Sequence, residues 1–384
     1  MIASVGDSPV SALTHSFRVW PALAVLLLAA ALLSCGGEDA APVPPTMGAG
    51  AAAPVGPIPG KGEAPAVSCD RIASPAGSDA NPGTVAAPVQ TAQRLIDVLA
   101  AGQTGCLRVG TFDFDDVIEV RKPSISLTSY PGERATLKGE LKIEKGADHV
   151  TVSDLDIDGR SSYNLGPMVF AAYATFDNVD VTNYHTGICF ILGAVDPAYG
   201  RAVNTVIENS RIHDCGQLPA KNGDHGIYVA HSDGAIIRNN WIYGNADRGI
   251  QLYPDSQGAK IYGNVIDGNG EGVIVSSDGE TASNYNLIRD NVISNSTIRW
   301  NVESNWGGGL VGSGNVVLGN CLWATNDDPY YNRNGGIIVP FDGGTRGFAV
   351  SGNLIAEPEF ADRAAGDLRM RASSRCLKLL TGFG

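Results

Sequence analysis

Asp224, His225, Asp247, Arg248 and Glu271 are placed where they can do proton chemistry together. Residues 223–272 repeat a glycine followed by a β-branched residue at Gly226-Ile227, Gly249-Ile250 and Gly272-Val273, both steps being 23 residues. Each ionisable residue lies one or two places before such a glycine, so a fold that stacks these units gathers the charges at one edge. The column just before the glycine reads Thr186, His225, Arg248, Glu271, Gly308 and Gly335. β-Elimination on a uronic acid removes the proton α to a carboxylate, which requires a base and a cation that neutralises the carboxylate. His225 is the expected base, with Lys221 in the preceding loop as its competitor, and Arg248 is the expected cation. Asp224, Asp247 and Glu271 are hard oxygen ligands that suit Ca²⁺ bridging protein and substrate. Tyr228, Gln251 and Tyr253 flank the cluster on outward positions, and His185 stands in the matching column of the preceding unit; these four are expected to touch the sugar. The competing reading is that Asp247 pairs with Arg248, and His225 with Glu271, along the stack and merely satisfies turn charges.

A period of this size means an array of units that cannot bury their apolar faces alone. Short glycine-punctuated pieces such as CLRVGTF, SISLTSY and HVTVSDLDI are strands, too short for helices. Six later pieces align Ser210, Asn240, Asn264, Asn291, Asn320 and Asn353 in one column, at intervals of 24 to 33 residues. Three strands and three turns need about that length, and parallel coils stack like residues about 4.8 Å apart. Equivalent asparagines then form a ladder, each amide donating one way and accepting the other while tolerating a left-handed turn. Asn245 and Asn269 predict a second ladder.

Ahead of the strands, Thr91 is a plausible helix N-cap, Ala92, Leu95, Ile96 and Leu99 share one face, and Gly102 ends the run, which predicts a helix over about 91–101. A helix laid across the open end would cover unpaired strand edges. The text SPAGSDANPGT followed by AAPVQTAQRLIDVL resembles the opening of bacterial right-handed parallel β-helix proteins of the pectate-lyase-like superfamily, and EPEFADRAAGDLRMR resembles the way they close. The resemblance implies an all-β, single-stranded right-handed parallel β-helix with a short helical cap over residues 68–384. It implies no single activity, because the superfamily holds lyases, hydrolases, epimerases and adhesins. GDHG is similar to the Gly-His-Gly element of polygalacturonases, yet their companion acidic and Arg-Ile-Lys elements are absent, as is the Asp-Pro-His motif of mannuronan epimerases.

The chain has 384 residues, 48 glycines and a net charge of −13, which argues against nucleic acid as partner. Residues 22–33 form an apolar run too short to span a bilayer, so residues 1–34 read as a signal peptide. Leu32-Leu33-Ser34-Cys35 resembles a bacterial lipobox, which makes Cys35 the lipidated residue and a lipid anchor the only membrane contact. Residues 35–67, rich in Pro, Ala and Gly, are the expected disordered tether. Export implies oxidising surroundings, and six cysteines remain. They allow 15 connectivities, of which pairing neighbours in sequence is simplest: Cys69 with Cys106, Cys189 with Cys215, Cys321 with Cys376. Trp300, Trp306, Trp323 and the 327–331 loop read as aromatics packing loops onto strands. The functional expectation is an exported protein that binds an acidic polysaccharide or cell-envelope glycan and cleaves or epimerises it. The alternative is a non-catalytic glycan-binding or adhesive β-helix.

Overall fold

The computed structural model describes residues 54–55, 59–307, 309–324, 334–338 and 347–380. The apolar run 22–33, Cys35 and the 327–331 loop lie outside the described residues, so the expectations placed on them are not addressed. Among the described residues no helix is long and apolar enough to cross a membrane.

The chain winds as a parallel β-helix. One central coil carries Ile236–Arg238, Trp241–Tyr243 and Arg248–Gln257 in turn. On it lie Lys260–Tyr262, Val265–Asp267 and Glu271–Ser276, pairing Ile236 with Lys260, Trp241 with Val265 and Ile250 with Val273. The three stacked faces are called sheets A, B and C in that order. Sheet A has 11 strands. Sheets B and C join as 18 strands, because Ala135–Ile143 runs round their corner and pairs with strands of both. Alternation along each short strand turns one residue inward. The inward rows are Ile237, Ile261 and Ile288 in A, Ile242, Ile266 and Ile293 in B, and Ile250, Val273 and Val302 in C, all at most 1% exposed. β-Branched side chains suit this stacking because their single preferred rotamer fits the pleat, and each buried one contributes about 1.5–3 kcal/mol.

Asparagines close the corners. At the A–B corner the backbone and side-chain amides of Asn240 both donate to Asn264 Oδ1 (3.0 and 3.0 Å), those of Asn264 to Asn291 Oδ1 (3.0 and 2.9 Å), and those of Asn291 to Asn320 Oδ1 (3.0 and 2.9 Å). Asn320 does the same to Asn353, and Ser210 donates its N–H to Asn240 at the other end. Asn245 and Asn269 form the expected shorter ladder at the B–C corner. A third, Asn286 onto Asn315 at the C–A corner, was not foreseen.

The glycine repeat has a steric cause. A Cβ on Gly249 would lie 2.9 Å from Asn269 Nδ2 and 2.9 Å from Gly272 O, and one on Gly226 would lie 2.8 Å from Asn245 Nδ2 and 2.8 Å from Gly249 O. Each glycine therefore marks where a strand of sheet C starts tightly against the ladder.

The cap helix spans Ala92–Val98, shorter than expected. Thr91 is its N-cap, and its hydroxyl accepts from Arg94 N–H at 3.1 Å. It stops early because the Lys122 ammonium donates to the carbonyls of Asp97 (2.5 Å) and Leu99 (2.9 Å), leaving Leu99 extended before Gly102. The three disulfides are Cys69–Cys106, Cys189–Cys215 and Cys321–Cys376, the simplest connectivity.

The closing segment straps the outer face of sheet B, where Trp241, Val265, Val292 and Cys321 pack against Leu368, Met370 and Cys376. Phe360–Asp362 and Asp367–Arg371 pair within it, and Pro54–Val55 adds antiparallel to Arg371 and Met370. The last part of the expected free tether is thus bound. Gly60 N–H donates to Asn209 O at 2.9 Å, Lys61 pairs with Asp180 at 2.6 Å, and Arg134 donates to Gly62 O at 2.8 Å. That segment lacks large side chains but offers backbone groups and one ammonium, and these are what it uses.

Removing a middle rung strands several buried groups, whereas removing the last strands fewer. Asn264→Ala should lower unfolding stability by about 1–3 kcal/mol for each buried partner left unpaired, and clearly more than Asn353→Ala. Equal losses in urea unfolding would show that the ladder does not set stability.

Candidate functional site

Sheet C begins where the B–C ladder ends, and the residue before each glycine of the repeat turns outward. Gly226 N–H donates to Arg248 O at 2.9 Å, and Arg248 pairs in register with Glu271. His225, Arg248 and Glu271 therefore stand on successive coils, about 4.8 Å apart by strand spacing. The next outward row reads Ile191, Tyr228, Gln251, Ile274 and Glu303. The expected juxtaposition of His225, Arg248, Glu271, Tyr228 and Gln251 is thus present, and Tyr253 follows two places after Gln251.

The cluster is buried although it lies on an outer face. His225 is 3% exposed, Asp247 5%, Arg248 4%, and Glu271 and Glu303 1% each. Arg248 Nε donates to Glu271 Oε2 at 3.1 Å, its Nη1 to Asn222 O at 3.3 Å, and its Nη2 to Asn222 Oδ1. Arg299 approaches the same carboxylate at 3.3 Å and donates to Asn222 Oδ1 at 2.7 Å. Asp247 lies 3.6 Å from Arg248 Nη1, and the His225 ring meets Tyr228 edge-on at 5.4 Å. Several polar atoms are left over: His225 Nδ1, Asp247 Oδ2 and Gln251 Oε1 make no well-formed hydrogen bond, and Glu271 Oε1 and Glu303 Oε2 find no donor. The last two belong to side chains that hydrogen-bond each other, so one shared proton satisfies both.

Burial separates the protonation states. It pushes the His225 imidazole well below its usual value, helped by the Arg248 charge, so His225 is neutral at pH 7. It pushes the Glu271 carboxyl well above the usual range, helped by Glu303, despite the opposing pull of Arg248 and Arg299. Asp247 is raised by burial as well, and so are the Tyr228 and Tyr253 phenols. Neighbouring groups driven in opposite senses are what acid–base catalysis requires.

Two expectations of register need correction, and the remaining candidates are placed as follows. His185 is not in the row: Phe190 pairs with Ile227, which puts Cys189 opposite Gly226, while His185 sits in the B–C corner with Nε2 3.5 Å from Asp214. The Gly-Ile pair at Gly187 is a decoy, two residues out of register. Likewise the coil after Glu271 enters sheet C earlier in the sequence than the glycine run suggests. Gly272 N–H donates to Trp300 O and Val273 pairs with Val302, so the cluster continues into the next coil through Glu303. Alternation from Val302 would have found Glu303, had that register been read correctly. Lys221 is exposed in the loop, where its ammonium donates to Gln217 Oε1 at 2.9 Å. Finally, among the described residues no three His, Cys, Asp or Glu side chains converge as a metal group. Asp224 accepts from Gln217 N–H at 2.9 Å and Glu271 is held by two guanidiniums, so Asp224, Asp247 and Glu271 do not fit a calcium cage. No step below is routed through a cation.

Elsewhere, His213 pairs with its neighbour Asp214 (2.8 Å) and with Asp180 (2.8 Å); burial pulls its pKa down, but these bonds outweigh it and raise it. Trp306 is 1% exposed and part of the core.

Stacked coils and asparagine corners define a parallel β-helix. The sequence family described as right handed beta helix region matches residues 144–355, and the chain belongs to it. The pectate lyase PEL9 of Emericella nidulans is 27% identical over 217 residues, covering 49% of this chain and 51% of that protein. The chain thus spans about half the length of that relative. The crystal structure of pectate lyase Pel9A is similar with a TM-score of 0.56 at 14% identity, over 80% of this chain and 91% of that one. A rhamnogalacturonan lyase structure reaches 0.47 at 14% identity, over 76% and 90%. The likeness to Pel9A establishes the fold.

The Glu271 shift has a signed consequence. A carboxyl whose folded pKa is raised contributes stability that is full below its unfolded pKa and lost as pH rises through the folded one. Glu271→Gln mimics the protonated form, so its stability relative to the unaltered protein should climb between pH 4.5 and pH 8. A difference that stays constant in denaturant titrations at the two pH values would contradict the buried-proton assignment.

Proposed function

We propose that this protein acts on an acidic polysaccharide, as a lyase or epimerase of uronic acid units, along the outer face of sheet C. The observation that carries the reading is the cluster of His225, Arg248 and Glu271 with Glu303 of the adjoining row. Four buried ionisable groups cross successive coils of a rigid face, and His225 Nδ1 among them has no hydrogen-bond partner. The PEL9 relative supports the substrate class, because it is a pectate lyase.

In this reading Arg248, with Arg299 beside it, neutralises the substrate carboxylate and so acidifies the α proton. The neutral His225 takes that proton, and the electron pair forms the C4–C5 double bond as the C4–O4 bond breaks. The proton shared by Glu271 and Glu303 goes to the departing oxygen. In epimerisation the same abstraction is followed by return of a proton to the opposite ring face. Both reactions need the Asn222 loop to lift, since Asn222 occupies the guanidinium that the substrate would use. Lys221 on that loop then adds a second cation at the mouth. The alternative of glycan binding without catalysis is favoured by the same contact: Arg248 is fully engaged, as a structural arginine would be.

Export with a lipid anchor at Cys35 belongs to the proposal too. Its support is the three disulfides, which persist in oxidising compartments.

Incubation with a panel of polyuronates, with and without calcium, tests the reading. Absorbance of unsaturated products is expected with one of them, or an NMR change in sugar configuration, and His225→Ala should reduce the rate by about 10²–10⁴. Binding without any product would leave the glycan-binding alternative standing and sink the enzyme. No binding at all would sink both.

A further inference from the structure

A second cavity lies between the strap and the solenoid, on the sheet B side of the B–C corner. Its volume is about 370 Å³, within the size range of small-ligand pockets. Trp323 and Phe360 supply aromatic walls, and Asn295, Glu357, Glu359, Arg363 and Arg371 share the lining with them. The walls come from separate parts of the chain. Trp323 ends a strand of sheet B, stacked on Ser294, whereas Phe360, Arg363 and Arg371 belong to the strap.

Asn295 is the informative residue. It is 7% exposed, and its Nδ2 donates to Asp267 Oδ1 at 2.6 Å, yet its buried Oδ1 has no hydrogen-bond donor. A buried acceptor left empty costs free energy that a ligand hydroxyl recovers. The rest of the lining is held in place. Asn295 N–H donates to Trp323 O at 2.9 Å, Arg363 Nε to Asp267 Oδ2 at 2.5 Å, and Arg371 Nη2 to Ala361 O at 3.0 Å. Gly268 lets Arg363 approach, since a Cβ there would lie 2.7 Å from its guanidinium.

Charge and shape decide the ligand class. The lining carries two carboxylates, Glu357 and Glu359, and two guanidiniums, so its formal charge cancels. Flat apolar walls suit the C–H face of a pyranose ring, while carboxylates, guanidiniums and one amide oxygen match adjacent hydroxyls as acceptors and donors. We propose that this cavity is a binding subsite for one neutral, hydroxyl-rich sugar unit. It is separate from the sheet C row and does not depend on the uronan reading. It holds a neutral glycan segment whether or not the chain has catalytic activity.

Calorimetric titration of the folded full chain with neutral tetrasaccharides (gluco-, xylo-, galacto- and manno-configured), with tetragalacturonate alongside, tests the assignment. One neutral series should bind saturably, and Trp323→Ala and Asn295→Ala should each weaken it about ten-fold or more. Trp323→Phe, which keeps an aromatic wall, should retain most of the affinity and separates lost contact from lost fold. The proposal is overturned if no neutral tetrasaccharide binds, if the two alanine variants bind as well as the unaltered chain, or if only tetragalacturonate is weakened by them. None of these readouts uses turnover, so a failure here is distinct from a failure of the lyase reading.

Discussion

Everything in this molecule depends on the asparagine rung. A stack of isoleucines is apolar and nearly uniform along the axis, so by itself it tolerates a strand slipping past its neighbour. A rung does not. Asn264 accepts from two amides of Asn240 and donates to Ile237 O, Tyr262 O and Asn291 Oδ1, all in a buried corner. A slip would leave those groups buried and unpaired, each at about 1–3 kcal/mol, whereas the apolar rows would lose little. Aspartate has no donor for the rung above, and glutamine is one methylene too long for the corner. The ladder is therefore what converts apolar stacking into a defined register.

Register in turn makes the polar row possible. Burying His225, Arg248, Glu271 and Glu303 together is unfavourable unless they are placed to satisfy one another. A rigid coil spacing permits that, because Arg248 reaches Glu271 below one guanidinium edge while Asn222 caps the other. The remaining cost appears as displaced protonation, with the imidazole kept neutral and a proton kept between two carboxyls. The scaffold that fixes the row also desolvates it. The two effects together account for acid and base forms coexisting on one face at neutral pH.

The parts legible in the sequence are those where the same constraint recurs in every coil. The Asn column and the Gly226, Gly249 and Gly272 column were readable because each position faces the same partner one turn on. Misreading began where turn lengths change. Cys189 occupies the place of Gly226 in its coil because its side chain is committed to Cys215, and the nearby Gly187-Ile188 imitates the repeat. The triple glycine at 307–309 imitates it again, which hid Glu303. The strap was invisible for another reason: Trp241, Val265, Val292 and Cys321 read as ordinary strand residues, and only the three-dimensional stack shows that they form one outward apolar stripe that needs a cover.

A net charge of −13 stands against an acidic polymer as ligand at long range, and screening limits that objection. At physiological ionic strength exposed charges are screened beyond about 8 Å, so acidic groups on distant coils hardly act on a chain lying along sheet C. Within that distance Arg248 and Arg299 share the Glu271 carboxyl, which burial and Glu303 push toward its protonated form, Asp247 lies 3.6 Å from Arg248, and the Lys221 ammonium donates to Gln217 on the loop above them. With Glu271 protonated, the cations of that face offset its remaining carboxylates, so the face does not share the negative charge of the whole. The same argument places the weak point of the arrangement at the Glu271 proton: once it is lost, a carboxylate inside the cluster competes for Arg248 and Arg299 with any carboxylate brought from outside.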